Sequence, residues 1–345
     1  MTLSSSQSLK RRRYIIIGAG AVGGTIAGRL AEAGHDVILI ARGKHLEALQ
    51  QNGLELVDPD RRCRLQIAAV SGPEELTLTE RDVLVLAVKS QDTGAALQRW
   101  ADQRVAGGQT AGDILPIFCA QNGVENERTA LRTFANVYGI CVWLPAVHLH
   151  PGSVVVRSAP VSGSFVLGRY PDGLDERVAE VAHDLSEAPF RVRVSQKVMR
   201  WKHAKLIRNL INALDAIVEP NADSTGLLAD AVAEAQRVFE AAGIEYASVS
   251  EEENLRAGIT IKDVLGLSEA GSSSWQSLAK RSGNIEVDYL NGEIVLLGRL
   301  HGIPTPYNCA LQRITNGLAW AGGAPRSWPL GRLIEAIRAE VHRAA

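Results

Sequence analysis

The segment Gly18-Ala19-Gly20-Ala21-Val22-Gly23-Gly24 constrains this chain more than any other. It follows an apolar run at residues 14–17. It opens a segment in which Ile26, Leu30 and Ala33 recur at helical spacing, closed by Gly34. A strand, a Gly-rich turn and a helix in that order form the dinucleotide-binding fingerprint. Gly18 permits the tight turn, Gly20 lets backbone approach a pyrophosphate, and Gly23 lets the helix pack closely on the strand. The anion would rest on free N–H groups at the helix N-terminus, at Ala21 and Val22. A bare G-x-G-x-x-G is a weak signal. Here the flanks are those a nucleotide site requires, including a second apolar run at residues 37–40 after the helix.

Short β-rich apolar runs recur at residues 14–17, 37–40, 83–88, 114–119 and 137–143, separated by helical patterns or turn signals. That alternation predicts a parallel, doubly wound sheet. Two further short runs, at 154–156 and 164–168, follow His150-Pro151-Gly152 and read as an antiparallel extension of the sheet. From about Gln196 strand signals nearly vanish. Apolar spacings of three and four take over at 201–218, 227–242, 285–300 and 308–319. The expected architecture is α/β, with a dinucleotide-binding domain over residues 1–195 and an all-helical domain over residues 196–345. Residues 1–13 are expected to be a loose arm, Ser-rich at its start, and Ser274 to cap a helix beginning at Trp275.

Bulk properties exclude several function classes. A formal net charge of −1 gives no global field toward nucleic acid or an anionic membrane. The four cysteines, Cys63, Cys119, Cys141 and Cys309, are scattered, with no CxxC and no His/Cys cluster. That argues against a zinc site or disulfide frame and for reduced thiols in a cytosol. No apolar run reaches the length of a membrane span. Lys10-Arg11-Arg12-Arg13 before an apolar run imitates a signal peptide, but the apolar part is the fingerprint itself. The expectation is a cytoplasmic protein without metal, nucleic-acid or membrane partners.

Several residues could carry chemistry. Arg42 follows the second strand, about 20 residues after the glycines, where an acid would hold the ribose 2′-hydroxyl of NAD and an Arg suits a 2′-phosphate. Lys44 and His45 add positive character nearby, and a solvated basic turn is the alternative. Lys89 ends the strand at 83–88, where ligands of open α/β sheets bind. A Lys snorkelling at a strand end would look the same. Asn122 follows the next strand in Gln121-Asn122-Gly123, which also reads as a simple turn. In the helix beginning Trp201-Lys202-His203, the polar residues Lys205, Asn209 and Asn212 fall within roughly 60° of one another, opposite Leu206, Ile207 and Leu210. This stripe is either a solvated face or a site. Glu286 and Asp288 near a helix start would favour its dipole, with capping as the plain reading.

Taken together, these residues resemble the ketopantoate reductase (2-dehydropantoate 2-reductase) family. The resemblance runs from about Tyr14 to Asn308 through the ordered motifs GAGAVGG, Arg42, VKSQ, QNGVEN, the K-x-x-x-N helix, the Ser-Ser pair, IEVDYLNG and GIPTPYN. It implies an N-terminal Rossmann-type domain, a helical C-terminal domain and a cleft between them. The implied cofactor is NADPH. The implied reaction is reduction of a 2-oxo acid to a 2-hydroxy acid, as of ketopantoate to pantoate in pantothenate biosynthesis. The implied partner is that small molecule, with a homodimer left open.

By motif, Lys205 resembles the catalytic general acid and Asn209 its hydrogen-bonding partner. Glu286 resembles the carboxylate that contacts the substrate hydroxyl, and Ser274 the Ser that binds the substrate carboxylate. Asn122 resembles the Asn near the nicotinamide. The chemistry is coherent by itself, because hydride addition builds negative charge on a ketone oxygen and an ammonium beside it stabilises that charge and supplies the proton.

Two positions depart from the family pattern. Ala213 stands where a second Asn is common, with Asn212 preceding it, and Gly271 stands where an Asn is common. The stretch 214–271 is also longer than usual. These departures concern the substrate pocket, so ketopantoate itself stays open as the substrate. A non-catalytic NADPH-binding regulator and a related dehydrogenase acting on another hydroxy or amino acid are the alternatives.

Overall fold

The fingerprint folds as β1 (Arg13–Ile17), the helix Ala21–Glu32 and β2 (Asp36–Ile40), with β1 and β2 parallel. The structure is a computed structural model and describes residues 12–264, 267 and 271–344. The remaining described strands are β3 (Leu54–Val57), β4 (Arg62–Leu65), β5 (Ala68–Val70), β6 (Asp82–Leu86), β7 (Pro116–Cys119), β8 (Asn136–Trp143), β9 (Ala146–Val147), β10 (Ser153–Val156), β11 (Gly163–Arg169) and β12 (Phe190–Val194). Eight of them form one sheet in the order β12-β11-β8-β7-β6-β1-β2-β5. Every neighbouring pair is parallel except β11 against β8. The chain leaves β1 to one side through β2 and later returns to its other side as β6, so a ligand crevice opens at the carboxyl ends of β1 and β6.

The central strands are apolar along their length because both faces are covered. Tyr14 and Ile16 enter the core beneath the helix Ala21–Glu32, while Ile15 and Ile17 enter the core on the opposite face. The period of two divides one run between two cores.

Three expectations need correction. Of the two late runs, only β11 extends the main sheet. β10 belongs to a separate four-stranded sheet, β4-β3-β10-β9, parallel to β3 and antiparallel to β9. Its partner β3 lies about a hundred residues earlier, and local pattern carries no information about so distant a pairing. The arm is anchored at its end: Arg12 forks onto Asp184 at 2.8 Å through two nitrogens, and Arg13 starts β1 and forks onto Asp82. Residues 1–11 of that arm lie outside the described residues. The third correction concerns Ser274. The helix Ser273–Ala279 begins earlier than expected and is capped by Ser272, whose hydroxyl accepts from the Trp275 N–H at 3.2 Å.

After Val194 the described residues form helices and turns but no further strand. The stretch 201–218 is two helices, Val198–Asn209 and Ile211–Ile217, broken at Leu210. The stretch 285–300 is a tight 3₁₀ turn, Glu286–Tyr289, followed by Asn291–His301. Pro306 opens the helix Pro306–Trp320, where its missing N–H is no loss. A last helix, Leu330–Ala344, packs against it through Leu333 and Ile337. No helix among the described residues is long and apolar enough to cross a membrane.

Candidate active site

The fingerprint glycines take three different positions. Gly18 has φ +106, and a Cβ there would lie 2.8 Å from the Val88 nitrogen. A Cβ on Gly23 would lie 1.9 Å from the Gly18 carbonyl oxygen. At Gly20 an added methyl group would find nothing within 4 Å, and no side chain caps the helix it precedes. Open space in front of an uncapped helix N-terminus is what a pyrophosphate needs. A cavity of about 130 Å³ lies there, lined by Gly20, Lys89, Asn122, Lys280 and Glu286 among others. The donor set and the space therefore fit the pyrophosphate of a dinucleotide.

Around this cavity Glu286 is buried, Lys89 is half-buried and Lys280 is exposed. The Lys89 ammonium donates to the Ser277 hydroxyl at 2.8 Å, and burial lowers its pKa. Lys280 is pulled down to about 8 by burial and by Lys89. Glu286 is 7% exposed and accepts from the Ser90 N–H at 3.1 Å and the Ser90 hydroxyl at 3.2 Å. Burial raises its pKa, while these hydrogen bonds and the two ammoniums Lys89 and Lys205 pull the other way. Arg42 stands at the carboxyl end of β2 with 87% of its side chain exposed, touched by Asp92 at 3.3 Å. His45 does not add the positive character expected of it. Its Nδ1 accepts from the Gly152 N–H, its Nε2 meets the Ala19 carbonyl, and burial lowers its pKa.

A larger chamber of about 480 Å³ shares Ala21, Val22, Asn122, Ser273 and Gln276 with the first cavity. Lys205, Asn209 and Asn212 all line it, so the polar stripe is a cavity wall rather than a solvated face. The Lys205 ammonium donates to the Val142 carbonyl, not to Asn209, and sits 5.5 Å from the Trp143 ring centre. Burial draws its pKa down to about 8. The Asn209 side-chain nitrogen is buried without a partner and so remains available to a ligand. Asn212 reaches the Ser273 hydroxyl at 3.5 Å.

Ser274 does not line the chamber. Its hydroxyl is buried without a partner, and Ser272 and Ser273 are the serines on the wall. Starting the helix at Ser273 sets this, because one residue along a helix turns the side chain by about 100°. Gly271 also lines the wall, and a Cβ there would lie 2.4 Å from Cγ of Trp275. The ring fills the space an Asn side chain would need to leave the backbone. Sequence reading missed Trp143, Arg157, Arg256, Lys280 and His148, all of which line one of the two cavities. Trp143 ends β8 at the ligand-bearing edge and was legible on that ground. Arg157 and Arg256 come from separate segments with no motif between them.

Residues 14–172 match the family model described as ketopantoate reductase PanE/ApbA, and residues 197–319 match its C-terminal counterpart. The chain is 28% identical over 325 residues to the 2-dehydropantoate 2-reductase of Pyrococcus horikoshii, covering 91% of this chain and 100% of that protein. A second 2-dehydropantoate 2-reductase, from Mesorhizobium japonicum, is 29% identical over 89% of this chain and 98% of its own length. Among solved structures, a PanE/ApbA family ketopantoate reductase from Ralstonia eutropha JMP134 superposes with a TM-score of 0.72 at 29% identity, over 90% of this chain and 99% of that one. A D-mandelate dehydrogenase, at 21% identity and a TM-score of 0.73 over 90% and 99%, shares the fold. A fingerprint turn, a buried ammonium and a buried carboxylate around two joined cavities thus accompany matches that span most of the sequence, and the chain belongs to the ketopantoate reductase family of oxidoreductases.

Proposed function

We propose that this chain reduces a 2-oxo acid to a 2-hydroxy acid with NADPH, as a 2-dehydropantoate 2-reductase or a close variant of one. The observation that carries the reading is the position of Lys205. Its buried ammonium, with a pKa drawn down to about 8, lies on a chamber that shares Ala21, Val22 and Asn122 with the fingerprint cavity.

The first turn of the helix Ala21–Glu32 would hold the pyrophosphate, with Lys89 and Lys280 as nearby cations. Arg42 would take the 2′-phosphate. When bound, the nicotinamide supplies hydride to the carbonyl carbon of the substrate. Lys205 hydrogen-bonds the carbonyl oxygen, stabilises the negative charge that develops there and donates a proton from Nζ. Glu286, oriented by Ser90, would accept a hydrogen bond from a substrate hydroxyl. Asn209 offers an unpartnered amide to the same small molecule.

The test is cofactor oxidation, followed by absorbance, with a panel of 2-oxo acids and with NADPH and NADH in parallel. Turnover of at least one acid with NADPH, and identification of its 2-hydroxy product, is the expected result. Tight NADPH binding without turnover of any panel member would replace the reductase by a nucleotide-binding regulator.

A further inference from the structure

The larger chamber carries more positive charge than one carboxylate requires. Among the described residues its charged lining is Arg157, Lys205 and Arg256, with no acid. Trp143 meets two of them, with its ring centre 5.1 Å from Arg256 Cζ and 5.5 Å from Lys205 Nζ. The Nε atoms of Arg157 and Arg256 are both buried and lack a partner, as does the Trp143 indole nitrogen.

Among the described residues neither guanidinium is held by a close ion pair. Arg256 forms no ion pair with a described residue. Glu252, one turn back on its helix Val249–Arg256, is held by Arg208 at 2.5 Å through one oxygen, its other oxygen being buried without a partner. Arg157 meets Asp263 only at 3.8 Å, and that carboxylate is fully exposed. Buried donors without partners are rare in folded proteins because they are costly, and a cluster of them around a cavity marks the place of an acceptor. Guanidinium groups fit carboxylates in particular, through their planar fork.

The charges can be counted against a substrate. Lys205 answers the oxygen that becomes negative during reduction. One carboxylate next to the keto group answers one arginine. Among the described residues the second arginine then faces no lining carboxylate, and a second anionic group on the substrate would supply its partner.

We propose that Arg157 and Arg256 make the chamber a two-anion site, and that the preferred substrate is a 2-oxo dicarboxylic acid. The proposal rests on the reductase reading above and narrows its substrate class. It also fits the wall as found: Gly271 brings no amide to it, and the long segment 214–271 brings in the guanidinium of Arg256.

The decisive comparison is between 2-oxopentanedioate and 2-oxopentanoate, which differ by one terminal carboxylate. The diacid should have the higher kcat/KM by about tenfold or more, chiefly through KM and more strongly at low salt. Arg157→Gln and Arg256→Gln should each draw that ratio toward one. A wild-type ratio at or below one, or a ratio unchanged in both variants, overturns the two-anion site while leaving the reductase reading standing. Calorimetric binding of 2-hydroxypentanedioate against 2-hydroxypentanoate repeats the comparison without turnover. A chain that turns over no 2-oxo acid of the wider panel loses the reductase reading, while the binding ratio still decides the second anion.

Discussion

Lys205 exchanges water for a carbonyl oxygen of β8 and the face of Trp143. Neither neutralises its charge, and burial therefore brings its pKa to about 8. The ammonium is the donating form and is populated below that value. Reduction should accordingly be level at lower pH and fall about tenfold per unit above pH 8, read as kcat/KM between about pH 6 and 10. A profile level to the alkaline end would assign the proton to another group. Lys205→Ala should lower turnover by roughly 10²–10⁴-fold while NADPH still binds. Arg42 works differently, because its side chain is largely in water and held by one long contact to Asp92. A charge-assisted contact to a phosphate contributes about 1.5–3 kcal/mol, or roughly ten- to a hundred-fold in affinity. Arg42→Ala should remove most of the preference for NADPH over NADH, as measured by Kd for each. Equal Kd values in the wild type would end that assignment.

The turn between β1 and its helix separates two kinds of glycine. At Gly23 an added methyl collides with the Gly18 carbonyl, so Gly23→Ala should distort the turn and lower Tm. At Gly20 the same methyl meets nothing within 4 Å. Gly20→Ala should keep the wild-type Tm and lose NADPH affinity, since the methyl would stand where the phosphate approaches. Thermal denaturation with and without NADPH separates the two, and a Gly20→Ala chain that binds normally would move the pyrophosphate elsewhere. The element starting at Ser273 obeys the same logic of space. The amide common in the family at position 271 cannot be added here without displacing Trp275. The Trp275 ring, rather than empty space, stands where that side chain would leave the backbone.

At the scale of the whole molecule, one buried ion pair ties the sheet-bearing part of the chain to the helical part. Glu127, on the helix Asn126–Ala130, is 0% exposed and pairs with Lys202, 3% exposed, on the helix Val198–Asn209. That second helix also carries Lys205, so the pair fixes the helix that presents the ammonium to the chamber. Lys202→Met would leave a buried carboxylate without its cation, a change that costs about 3–5 kcal/mol. The expected result is a large fall in Tm, substantially recovered in the double variant Lys202→Met/Glu127→Gln. A single variant as stable as the wild type would show that water reaches Glu127.

Much of this protein was legible in its sequence because the signals were local. A strand, three glycines and a helix must lie side by side in the chain to make a phosphate turn, so the nucleotide half and its central strands could be read directly. Lys205, Asn209 and Asn212 share a face because helical geometry puts them there, although only packing against β8 turned that face into a cavity wall. What the sequence could not carry was long-range. The pairing of β10 with β3 joins segments about a hundred residues apart. The two-residue shift that buries Ser274 and exposes Ser273 to the chamber depends on where Ser272 caps its helix. Arg157 and Arg256 meet across about a hundred residues with no shared motif. A cap moves a helix start by two residues, and a fold brings distant charges around one cavity. Both are decided by tertiary packing, in which each side chain's environment is set by residues that are not its neighbours in sequence.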